Sequence, residues 1–243
     1  MQIIKKIWQH TENTEMSLMG HLIELRERLL LAFTIFIITT IICILYIKQI
    51  SYILQEPAIG IKFLQLAPGE YLFVSIKIAI YCGFIFSSPF TIYQIILFIL
   101  PGLTSQEVKY IIPLLTSSII LFFSGLLFCF KILIPATLSF LISYGSDVIQ
   151  PIWSFEEYFN FILLLLFSSG ITFQIPIVQI ILGVFNIYSS DQMLANWQYV
   201  IFFATVFGAI ITPSTDPITQ ILMTTAVISL YFTSIGVLKL LNK

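Results

Sequence analysis

From Leu29 to Ile47 the chain carries no charged residue, and no other feature limits its fold so strongly. As a helix rising about 1.5 Å per residue, that run crosses roughly the 30 Å of a bilayer's hydrocarbon core. The stretch before it, His21–Leu30, is the opposite in character. It holds both arginines of the chain, Arg26 and Arg28, together with His21, Glu24 and Glu27. Read at helical period, His21, Glu24 and Arg28 share one face, and Leu22, Leu25 and Leu29 another. One reading is a juxtamembrane anchor whose arginines fix orientation. The other is a binding site in which arginines hold carboxylates at the membrane surface.

Composition places the rest of the chain in the same solvent. Of the 243 residues, 58% are apolar and 9% charged, and net charge is −1. Soluble domains carry roughly 25% charged residues. So few charges cannot solvate a soluble surface, and near-neutrality implies no nucleic-acid partner. Cys43, Cys82 and Cys129 lie in apolar runs, without metal-ligand spacing, and read as packing residues. Met1 to Gly20 lacks the apolar core of a cleavable signal peptide.

Six spans are expected, at about 29–47, 78–100, 110–130, 158–182, 197–212 and 218–238. Residues 1–28 form a polar segment and juxtamembrane amphipathic helix, and 29–240 a single membrane domain. Pro89 predicts a kink in the second span, which Pro101 and Gly102 end. Thr104 with Glu107, and Ser154 with Glu157, have capping-box spacing, so helices should start there. Tyr52 to Lys77 is too broken to span and reads as short helices against a membrane face. Lys131 to Trp153 is a second long connection, and Gly183 to Asn196 a polar turn. The fifth span, Trp197 to Thr212, reaches only about 24 Å. Asp216 as N-cap and Pro217 at the first helical position should open the sixth. Seven basic residues (Lys5, Lys6, Arg26, Arg28, Lys109, Lys239, Lys243) then share the side of both termini, against Lys48, Lys62, Lys77 and Lys131 opposite. That bias favours termini on the cytoplasmic or stromal side.

Several chemistries are excluded. No span holds a histidine, so haem ligation within the membrane has no ligand. No charged residue lies near the middle of a span, where ion-coupled carriers place one. The phosphate-binding GxxxxGK[ST] pattern is absent, and no catalytic, metal or cofactor constellation appears. The polar groups left stand at span ends, except Gln174. Glu24 and Glu107 can each take a guanidinium in a bidentate pair. Glu107 also fits a plain helix cap, Gln174 an interhelical hydrogen bond, and Asp216 an N-cap.

The stretch His21-Leu-Ile-Glu-Leu-Arg-Glu-Arg-Leu resembles the N-terminal motif of the TatC family, the multi-span receptor subunits of the twin-arginine protein translocase. Further resemblances follow in order. They are Ser87-Ser88-Pro89-Phe90 with Tyr93-Gln94, Leu100-Pro101-Gly102-Leu103 leading to Glu107, and Ser154-Phe155-Glu156-Glu157-Tyr158. Phe173-Gln174-Ile175-Pro176 and Thr212-Pro213-Ser214-Thr215-Asp216-Pro217 complete the set. Together they cover roughly residues 17–240.

The resemblance implies an all-α integral membrane protein. Its six helices would form a curved, glove-like bundle, with both termini on the cytoplasmic or stromal side. It implies binding of the paired-arginine signal peptides of folded precursors by Glu24 and Glu107, with Arg26 and Arg28 beside them. Gln174, with Phe173 and Pro176, would meet a partner's helix, and Pro213 and Asp216 would form the far-side turn. Partners would be single-span TatA/TatB-type proteins, further copies of the chain and membrane lipid, with transport driven by the proton gradient. There would be no cofactor and no enzymatic activity.

Two departures stand out. Gln174 cannot titrate where bacterial members often carry Glu, and Val108 replaces a residue that is basic in many of them. The motif wording is most similar to cyanobacterial and plastid members, which suggests a thylakoid membrane; a bacterial or mitochondrial inner membrane stays open. The rival functions are a small-solute secondary transporter and a structural subunit of a respiratory or photosynthetic complex.

Overall fold

A computed structural model describes residues 18–58, 60–99, 110–145, 152–211 and 216–241. Glu107, Val108, Thr104, Pro101, Pro213 and the terminal lysines Lys5, Lys6 and Lys243 lie outside the described residues. Among the described residues, five helical segments are long and apolar enough to cross a membrane, and a shorter apolar helix makes a sixth.

Helix α1 is Leu18–Leu45, so the charged turn and the first span are one continuous helix rather than two pieces. It lies along α3, Glu70–Ile99. The contact is close because residue 83 is glycine: a Cβ there would stand 2.1 Å from the Thr40 hydroxyl oxygen. The Thr39 hydroxyl donates to the Gly83 carbonyl at 3.0 Å. Small residues and hydroxyls serve this purpose between helices in lipid, where apolar side chains gain nothing by leaving the solvent.

The second span begins earlier than expected, at Glu70 rather than residue 78. The two charges that read as outside a span are both accommodated. Glu70 is 3% exposed and saturated by hydrogen bonds. Lys77 pairs with Glu156 at 2.6 Å and donates to the Asn160 amide oxygen at 3.1 Å. Pro89 lies inside α3, and the helix continues through it. The Ile85 carbonyl, which loses its usual donor to the proline, accepts the Ser88 hydroxyl at 2.7 Å.

Between α1 and α3 the chain forms α2 (Ile47–Gln55), a 3-10 turn at Glu56–Ala58 and strand β1, Lys62–Leu64. β1 pairs in parallel with β2, Ile152–Ser154, in the register Phe63 to Trp153. The chain is therefore nearly, rather than wholly, helical. This three-residue ladder joins the two long connections.

The third span runs on past residue 130. Helix α4 (Ile111–Phe128) passes through a π turn at Cys129–Leu133 into α5, Ile134–Gly145. Lys131 to Trp153 reads as a connection, but the helix runs on to Gly145, and the wider turn just before Pro135 accommodates its missing N–H. Leu133, Ile134, Thr137 and Leu138 are all buried, which holds the extension in place.

The fourth span is two helices. α6 is Phe155–Thr172 and α7 Ile175–Val184. Ser154 caps α6 by accepting the Glu157 N–H, as its spacing implies. Pro176 removes the N–H that would continue the ladder, and the backbone turns at Phe173 and Gln174. α6 and α7 form the centre of the molecule: an 18-residue apolar stretch of them is 61% buried, against 6% for the corresponding stretch of α1. Phe159, Ile162 and Leu165 of α6 pack with Ile78 of α3 and Leu133 in the main core.

The turn after α7 contains a further short helix, α8 (Ser190–Ala195), opened by a full capping box between Ser189 and Gln192. α9 is Trp197–Ile211, 15 residues and so only about 22 Å long. α10 is Pro217–Leu240. Its start is as expected: Asp216 accepts the Thr219 N–H at 2.8 Å, with Pro217 following.

Candidate functional site

The charged turn of α1 meets α3 with its polar face. His21, Glu24, Leu25 and Arg28 are half-buried, whereas Leu22 and Leu29 are each 60% exposed. A helix in water would do the reverse; in a bilayer the leucines already face their preferred solvent. His21 stacks on Phe98, with ring centroids 4.2 Å apart. Arg28 donates from Nε to Glu24 Oε1 at 2.8 Å, and its Nη2 reaches the same oxygen. Nη1 turns the other way and donates to the Gln94 amide oxygen at 3.2 Å.

The second oxygen of Glu24, Oε2, is buried and has no hydrogen-bond partner among the described residues. His21 Nδ1 is 3.9 Å from it, beyond hydrogen-bonding range. A buried acceptor on a carboxylate carries an energetic penalty unless a donor reaches it. Here that oxygen stands in a cluster shaped by an arginine, an amide and an aromatic ring. The arrangement suits a further cationic, planar donor. Arg26 and Glu27 of the same turn are exposed.

Gln174 stands apart from this cluster. It follows α6, and its amide is engaged within the chain: Nε2 donates to the Ser118 carbonyl at 3.1 Å, and Oε1 accepts the Ser118 hydroxyl. The amide thus meets α4, the interhelical role its residue type allows. Phe173 is 9% exposed and lies against Phe128 and Gly125, and Pro176 is buried. Beyond them, α7, α9 and α10 enclose an apolar groove of about 680 Å³ lined by Ile175, Gln179, Tyr199, Phe203 and Tyr231.

At the other end of the bundle two carboxylates are buried, and both are fully engaged. Glu70 Oε2 accepts the N–H groups of Leu66 at 2.6 Å and Ala67 at 3.0 Å. Its Oε1 accepts the Glu156 N–H at 2.8 Å and the Ser154 hydroxyl at 3.5 Å. One side chain therefore ties the loop before α3 to the start of α6. Asp216 is 4% exposed and takes both the N–H and the hydroxyl of Thr219, whose hydroxyl also meets Thr137 of α5.

Sequence reasoning picked out Glu24, Arg28 and Asp216 and missed Gln94 and Glu70 as site-building residues. Their signals were a lone amide within the apolar second span, and an acid directly after the Pro68-Gly69 turn.

These features describe a multi-span membrane protein with an arginine-paired carboxylate near one end of its helix bundle. The chain belongs to the TatC family, "Sec-independent protein translocase protein (TatC)", whose model matches residues 20–225. It is 65% identical to an "uncharacterized tatC-like protein ycf43" of the alga Gracilaria tenuistipitata, over 95% of this chain and 97% of that one. It is 50% identical to the Sec-independent protein translocase protein TatC of Synechocystis, over 96% of this chain and 91% of the relative. It is 40% identical to the chloroplastic TATC of Arabidopsis thaliana, over 96% of this chain and 69% of that protein. A crystal structure of the twin-arginine translocase receptor TatC superposes with a TM-score of 0.81 at 37% identity, covering 92% of this chain and all of that one.

Proposed function

We propose that this chain is the receptor and core scaffold of a twin-arginine translocase, and that Glu24 takes a guanidinium of the paired-arginine signal peptide. The observation that carries the reading is the buried, unpartnered Oε2 of Glu24 beside Arg28 and Gln94, in a member of the TatC family. Glu107 is the second signal-binding carboxylate of the proposal, with Arg26 and Arg28 shaping the approach. The chain is a transport component. Its membrane is the plastid thylakoid, which the algal and chloroplastic relatives support. Both termini face the stroma.

Cargo is a folded precursor with a twin-arginine signal. The other partners are single-span TatA/TatB-type proteins and further copies of the chain, with membrane lipid around them. Phe173 and Pro176 are buried, so a partner's helix would rest against the neighbouring apolar groove, whose lining begins at Ile175 next to Gln174; the far-side turn of the proposal is Pro213 and Asp216.

Photocrosslinking tests the proposal. A probe at His21, one turn before Glu24 on the same helical face, should capture a twin-arginine precursor, and replacing the paired arginines with glutamines should abolish the adduct. Equal capture of both precursors would sink it.

A further inference from the structure

We propose that Arg28 occupies, in the free protein, the place that a cargo guanidinium takes at Glu24, and that Gln94 receives Arg28 when the cargo arrives. The inference rests on Glu24 being a signal-binding carboxylate and adds how that site is kept and released.

The geometry is that of an incomplete pair. An arginine and a carboxylate usually meet fork to fork, with two parallel bonds to two oxygens. Here Nε and Nη2 of Arg28 converge on the single oxygen Oε1, and Oε2 is left without a donor among the described residues. The remaining edge of the guanidinium is held by Gln94 of α3, through Nη1 at 3.2 Å. Arg28 therefore straddles two helices, one edge on a charged acceptor and the other on a neutral one.

That split makes exchange feasible. Arginine does not deprotonate in proteins, so a displaced Arg28 must keep an acceptor. Its side chain is 24% exposed, so water alone serves it poorly. Gln94 is 8% exposed and already in contact, so it can hold the guanidinium without rearrangement of the helices. Being neutral, it holds a cation less strongly than a carboxylate does, so Arg28 rests on Glu24 until a second guanidinium competes. A carboxylate at position 94 would draw Arg28 off Glu24 permanently. An apolar side chain there would leave Arg28 with Glu24 alone.

The test measures binding of a fluorescent twin-arginine signal peptide to the full-length protein in lipid nanodiscs, with thermal unfolding of each variant as the control for folding. Gln94→Glu should bind the peptide about tenfold more tightly, and Gln94→Met several-fold more weakly, from the worth of a hydrogen bond to a charged group. With Arg28→Gln in the background, both substitutions should lose most of their effect, because the group they redirect is gone. Gln94→Glu without tighter binding, or effects that persist undiminished without Arg28, would overturn the exchange. A Gln94→Glu side chain that bound cargo directly would show the second pattern. Glu24→Gln separates the two levels of the argument. If it leaves peptide binding intact, the receptor site itself is wrong. If it removes binding while the Gln94 variants fail to move in opposite directions, the site stands and only the exchange is wrong.

Discussion

Glu24, half-buried, and Glu70, buried, are both carboxylates near the ends of membrane-spanning helices, yet their surroundings are opposite. Glu70 accepts three backbone N–H groups and a hydroxyl, shared between both oxygens, and closes the loop before α3 onto α6. Glu24 has one oxygen doubly contacted by Arg28 and the other empty. A saturated carboxylate holds a fold together. An unsaturated one beside an arginine is, on the exchange proposed above, the one left open to a ligand. Asp216 belongs with Glu70, since Thr219 satisfies it from both backbone and side chain.

The sharpest way to break this comparison is at Glu70. Glu70→Leu strands three backbone donors at once and should give the largest loss of folded protein of any substitution here, read as thermal unfolding in detergent and as yield of assembled complex. A Glu70→Leu protein of normal stability that had lost precursor binding would reverse the two roles.

Glu24→Gln should do the converse. Precursor affinity should fall on the order of tenfold to over a hundredfold, the worth of a charge-assisted pair of about 1.5–3 kcal/mol, with little change in stability. Equilibrium binding of a labelled precursor and a melting curve on the same sample check both halves.

Asp216 sharpens the comparison by chemistry. Asp216→Ala should destabilise the start of α10 by about 1 kcal/mol, whereas Asp216→Asn, itself a good N-cap, should change stability far less. Precursor binding at the opposite membrane face should be unaffected in both.

The smallest effect is expected at Gln174. Gln174→Leu removes one interhelical pairing with Ser118, worth about 0.6 kcal/mol in membrane proteins, and should leave precursor binding intact. A large transport defect with unchanged stability would show that the amide has a second role beyond Ser118.

Much of the fold was legible in the chain because lipid imposes simple requirements. Charge-free runs of bilayer length announce the spans, and caps such as Ser154 and Asp216 with Pro217 set helix starts through bonds between residues three apart. The ordered motifs announced the family. Residues that break these local rules were misread. The stretch holding Glu70 and Lys77 looked too broken for a helix entering the membrane, and Lys131 to Trp153 looked like a connection rather than a continuing helix.

Local sequence also placed His21, Glu24 and Arg28 on one helical face, since they lie within two turns of one helix. It could not say that this face turns inward, because α3 supplies the surface that makes burial favourable. Nor could it pair residues that are distant along the chain. Arg28 with Gln94, Lys77 with Glu156, Ser118 with Gln174 and Glu70 with the start of α6 each join separate helices. Helical period fixes which residues share a face, but only packing between helices decides which carboxylate is satisfied and which keeps an oxygen free.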